Sequence, residues 1–103
     1  MNYKTTDMTI WKFELEIKDK QSLEIPLGSV ILDAQVQHGK IFLWATVDPL
    51  REKETRDFAV IGTGWYIDTN HKGSPVGFNH IATVQLHGGD YVFHVFEYDY
   101  VGM

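Results

Sequence analysis

The stretch Val30-Ile31-Leu32-Asp33-Ala34-Gln35-Val36-Gln37-His38-Gly39-Lys40-Ile41-Phe42-Leu43-Trp44-Ala45-Thr46-Val47 decides the fold. Before His38-Gly39, apolar residues fall at Val30, Leu32, Ala34 and Val36. After it they fall at Ile41, Leu43, Ala45 and Val47. A period of two is the mark of strands with one face buried. Glycine tolerates positive φ at no steric cost, so His38-Gly39 reads as a two-residue hairpin turn. The register this predicts puts Val36 opposite Ile41, Ala34 opposite Leu43, Leu32 opposite Ala45 and Val30 opposite Val47. All eight then share one face, and a slip of one residue would scatter them. The other face is mixed: Gln35 beside Phe42, Asp33 beside Trp44, Ile31 beside Thr46.

Downstream, His80–His87 and Asp90–Tyr98 flank Gly88-Gly89 in a second hairpin pattern. One face pairs Leu86 with Tyr91, Val84 with Phe93 and Ala82 with Val95. The other pairs Gln85 with Val92, Thr83 with His94 and Ile81 with Phe96, with His80 opposite Glu97. Upstream, Trp11, Phe13, Leu15 and Ile17 alternate with charged residues and predict a strand. Leu23, Ile25 and Leu27 predict a shorter one. Pro26 lies inside it and cannot donate to a ladder, so it belongs at a sheet edge. Asp48-Pro49 ends the central hairpin, and the charged run Leu50–Asp57 reads as a solvated loop. Phe58–Ile61 reads as a buried strand. Gly62-Thr63-Gly64 interrupts it before Trp65-Tyr66-Ile67, which suggests a bulge or a close backbone approach. Residues 68–79 form the longest irregular segment, and 99–103 a fraying tail.

The expected fold is therefore all-β: about seven short, mostly antiparallel strands in a small sandwich or partly open barrel. The whole chain, 1–103, reads as one domain with its core over about 9–98.

Composition narrows the function. The 103 residues carry a formal charge of −5 and no Lys/Arg cluster, which disfavours nucleic acid and an anionic membrane surface. Cysteine is absent, which removes disulfides, thiolate metal sites and thiol catalysis. Met1–Met8 lacks the apolar run of a secretory leader, and no stretch approaches the ~20 apolar residues of a membrane span. A cytoplasmic location is expected.

Conventional chemistry finds little support. The five histidines lack the helical or strand spacings that build a metal site locally, so no metal is expected. No serine sits in a nucleophile elbow, and Gly62-Thr63-Gly64 lacks the lysine and helix of a phosphate loop. No catalytic residue, no cofactor and no enzymatic activity are expected. The aromatics, 14% of the chain, say more. Phe42, Trp44, Trp65, Tyr66 and His94 are the candidate ligand- or partner-binding residues; Phe78, Tyr98 and Tyr100 share the aromatic character. The alternative is that these rings form a second core layer.

With those segments laid out, the chain resembles a family of small proteins of unknown function encoded by bacteriophages and prophages. The resemblance rests on Ile10-Trp11-Lys12-Phe13, Ile25-Pro26-Leu27-Gly28, Ile31-Leu32 with Gln35-Val36-Gln37, and Leu43-Trp44-Ala45 with Val47-Asp48-Pro49. It continues through Ile61-Gly62-Thr63-Gly64 and Gly88-Gly89 with Tyr91-Val92-Phe93-His94-Val95-Phe96-Glu97, and so spans nearly the whole chain. In that family a histidine often follows the Gly-Thr-Gly segment; here Trp65 stands there. The resemblance implies a phage or prophage origin and a site of action in the host cytoplasm. It implies no activity and no site residue. The expectation is a non-catalytic binding protein that acts on a host protein, such as a defence protein, and that self-associates. The alternatives are an oligomeric binder of a small, nucleotide-like ligand and a minor virion or assembly component.

Overall fold

A computed structural model describes residues 7–67 and 75–100. Within them lie seven strands: β1 (Thr9–Leu15), β2 (Gln21–Pro26), β3 (Val30–Gln37), β4 (Lys40–Val47), β5 (Lys53–Gly62), β6 (Pro75–Leu86) and β7 (Tyr91–Tyr100). They form two sheets, β1-β4-β3 and β2-β5-β7-β6, and every ladder is antiparallel. The sheets face each other as a small open sandwich. Leu15, Ala34, Ile41 and Leu43 from the first pack against Phe58, Val60, Val84, Leu86, Phe93 and Val95 from the second in one buried cluster. No described helix is long and apolar enough to cross a membrane.

The central hairpin keeps the expected register near its turn, where His38 and Gly39 have φ of 54° and 75°. Val36 lies opposite Ile41 and Ala34 opposite Leu43. Beyond Asp33 the register shifts, because Leu32 bulges out of the ladder. One extra residue reverses every face beyond it. Ile31 therefore lies opposite Ala45 and packs on the core, whereas Val30 and Leu32, expected inside, are 57% and 50% exposed. A second bulge, at Ile81, does the same in the last hairpin. Pairings from Leu86–Tyr91 through Ala82–Val95 are as expected, but His80 then falls opposite Phe96 and Asn79 opposite Glu97. The expected His80–Glu97 pair does not form.

Four boundaries also differ from the sequence reading. The charged run is partly strand: β5 begins at Lys53 and pairs along all of β2. Its inward charges are satisfied. Arg56 donates from Nε and Nη2 to Glu97 at 2.6 and 2.9 Å, and from Nη1 to the Ser29 carbonyl at 2.5 Å. Outward, Ser22 donates to Asp57 at 2.6 Å and Thr55 to Glu24. β6 begins at Pro75, inside the segment read as loop, and β7 runs to Tyr100, inside the segment read as tail. Aromatic cross-strand contacts carry the hairpin that far: Phe78 packs on Tyr98 at 4.9 Å and on Phe96 at 5.9 Å. Residues 68–74 and 101–103 of those two segments lie outside the described residues. At the other end β1 stops at Leu15, leaving Ile17 exposed.

β2 occupies a sheet edge, as Pro26 requires. The chain passes from β1 to β2 across the two sheets through a corner held by one side chain. The Gln21 amide accepts from the Glu16 N–H at 2.9 Å and donates to the Glu16 carbonyl at 2.7 Å. That corner is pinned to the second sheet by the Val60 N–H, which donates to the Lys18 carbonyl, and by the Tyr98 hydroxyl, which donates to the Asp19 carbonyl.

Candidate functional site

Three surfaces gather all the candidate residues but Tyr66. The first is the outer face of the three-stranded sheet. Strand alternation that buries Ile41, Leu43, Ala45 and Val47 points Phe42 and Trp44 the other way. Their rings lie 6.1 Å apart and half-buried along the central strand. Lys12 of β1 lays its ammonium 4.4 Å from the Phe42 ring centre and donates to Gln37 of β3 at 2.8 Å. Exposed Ile10, Val30 and Leu32 extend the apolar surface at the far end. Asp33 closes one edge, accepting from Gln35 at 2.7 Å. No described layer covers this face.

The second surface is the outer face of the four-stranded sheet, where His94 lies. His94 Nε2 is 2.7 Å from the Thr63 hydroxyl, and its Nδ1 is 3.0 Å from the Thr83 hydroxyl. Thr83 in turn lies 3.0 Å from His80 Nε2. The four side chains form a continuous hydrogen-bonded chain, Thr63–His94–Thr83–His80. It is self-consistent in either direction, since each hydroxyl can donate to one neighbour and accept from the other. The chain can relay the position of a proton. Among the described residues no carboxylate bonds to either imidazole, and no group of three or more His, Cys, Asp or Glu could hold a metal ion.

The third is a cleft of about 400 Å³ between the turn after β5 and the start of β7, lined by Gly62, Thr63, Trp65, Asp90, Tyr91 and Phe93 among others. Gly62 ends β5, and the Trp65 N–H closes a turn by donating to its carbonyl at 2.9 Å. Trp65 then folds back over Gly62 and meets Phe93 edge-on at 5.8 Å. A Cβ at Gly62 would stand 2.6 Å from a carbon of the indole. The expectation of a close approach at this glycine is thus met by a side chain rather than by backbone.

The five candidate residues do not form one site. Phe42 and Trp44 share one outer face. His94 lies on the opposite outer face, so the sandwich separates them. Trp65 sits at the cleft on the inner side of its sheet, and Tyr66, 96% exposed, joins none of these groupings. Of the other aromatics, Tyr98 is buried and Phe78 half-buried. They build a small second cluster with Ala59, Ile61 and Phe96. Sequence reading missed Asp90 and Tyr91 at the cleft, because hairpin pairing gave no sign that Trp65 would return to them. It also missed Lys12, whose cross-strand neighbour Trp44 belongs to a strand 32 residues away by number.

Residues 7–101 match the family described as a domain of unknown function, DUF7352. The chain belongs to the DUF7352 family. No curated protein and no solved structure matches it.

Proposed function

We propose that this chain is a non-catalytic binding protein of phage or prophage origin that acts in the host cytoplasm by engaging a host protein. The observation that carries this is the uncovered outer face of the three-stranded sheet. Aromatic rings stand at its centre, apolar side chains at one end and charged groups at the rim. Aromatic centres with polar rims are the usual anatomy of protein interfaces. The acidic balance of the chain and the sequence resemblance to phage-encoded proteins support the setting. Inhibition of a host defence protein is the use we infer for such a surface.

The test compares capture from host lysate by the wild-type chain and by the double variant Phe42→Ser/Trp44→Ser. One host protein retained by the wild type and lost by a still-folded variant is the expected result. Equal capture by both, or capture by neither, overturns the proposal. Light scattering run alongside decides the competing occupant: a dimer that the double variant dissociates assigns this face to a second copy instead.

A further inference from the structure

We propose that the cleft beside Trp65 receives an arginine side chain presented by a partner protein. It uses a surface separate from the outer face of the three-stranded sheet and stands on its own observations.

The cleft offers flat apolar walls and one charge. Trp65 and Tyr91 are 50% and 56% exposed, and Phe93 is nearly buried behind them. Both exposed rings are held before any ligand arrives. Trp65 is braced edge-on by Phe93 at 5.8 Å and seated on bare Gly62, while Tyr91 is braced by the His87 ring at 5.6 Å. Rings that are already placed lose little conformational freedom on binding. Among the described residues the lining includes Asp90 but no lysine or arginine. No described residue pairs with the Asp90 carboxylate; only its backbone N–H is engaged, with the His87 carbonyl.

Those two features select a planar cation. Guanidinium has weakly hydrated flat faces that stack on indole and phenol rings, and an edge of donors that matches a carboxylate. An ammonium group keeps its water more tightly and presents no face. A neutral nucleobase can stack but leaves the Asp90 charge without a counterion, and a nucleotide phosphate meets a chain of net charge −5. A cleft of about 400 Å³ has room for a guanidinium and its alkyl stem.

The probe is arginine blocked at both ends, N-acetyl-arginine-N-methylamide, titrated into the full chain and followed by amide and indole NMR signals. Trp65→Phe identifies which indole resonance belongs to Trp65. The expected result is saturable movement of the Trp65 indole and the Asp90–Phe93 amides. Blocked citrulline, the neutral analogue of the same shape, should bind about tenfold more weakly, and blocked lysine about fivefold more weakly. Asp90→Asn should weaken blocked arginine by about tenfold while leaving the thermal midpoint in place, since Asp90 is exposed. No movement of these signals, equal binding of citrulline, indifference to Asp90→Asn, or tighter binding of adenosine would each overturn the proposal. None of these readouts involves Phe42 or Trp44, so failure here and failure of host-protein capture are separately visible.

Discussion

Replacing Arg56 by methionine should destabilise the protein by about 3 kcal/mol, the low end for breaking a largely buried ion pair. The side chains of Arg56 and Glu97 are 20% and 17% exposed, so both ions have lost most of their water. Arg56 makes two short bonds to the carboxylate and one to the Ser29 carbonyl, all from the inner side of the four-stranded sheet. Removing it strands Glu97 opposite Phe58 with its hydration only partly restored. The remaining exposure is why we expect the lower end of the range. For a domain this size, that corresponds to a fall of about 12–24 °C in thermal midpoint. The double variant Arg56→Met/Glu97→Leu removes the stranded charge and should recover most of the loss, since a buried pair and an apolar pair of similar volume are often nearly equal in stability. Urea unfolding of the two singles and the double gives the coupling energy directly. A loss below about 1 kcal/mol for Arg56→Met would place the pair with ordinary surface bridges and refute the reasoning. Its charge also has a pH signature. The hydrogen-bonded Glu97 carboxylate raises the Arg56 pKa above its usual value, against the opposing effect of burial. A group raised in this way contributes fully below its unfolded pKa and loses that contribution only as pH climbs through the folded one. The Arg56 contribution should therefore persist throughout the neutral and mildly alkaline range.

Two further outcomes follow from the other surfaces. Thr83→Val keeps the shape of the side chain but removes the hydroxyl shared by His80 and His94. It should cost about 1 kcal/mol and change the tautomer balance of both rings in nitrogen-15 spectra; unchanged spectra would mean the chain does not form in solution. Gly62→Ala should push the Trp65 indole off its seat, because the new methyl group would stand 2.6 Å from the ring. We expect a red-shifted tryptophan emission and a loss of about 1–3 kcal/mol, and identical emission and stability would show that the ring does not rest there.

Much of the strand plan was legible in the sequence. The alternation of Ile41, Leu43, Ala45 and Val47 defines one buried face without reference to any other segment, and so does that of Val84 and Leu86. Pro26 identified an edge because its missing N–H is a local fact. The charged run at 53–57 hid a strand because its alternation carries ion pairs in place of apolar residues, and the partner Glu97 lies 41 positions away. The aromatic candidates were legible as residue types and not as a site.

The period of each strand, the two hairpin turns and the all-β class were set locally, since each depends on neighbours within a few residues. Which sheet each strand joined, where the ladders bulged and which candidates met depended on contacts between segments far apart in the chain. The Leu32 and Ile81 bulges each reverse a face, and what fixes them is the fit of two whole sheets around one core. In the same way, Trp65 reaches Phe93 and Asp90 shares its cleft only because β5 and β7 are paired side by side.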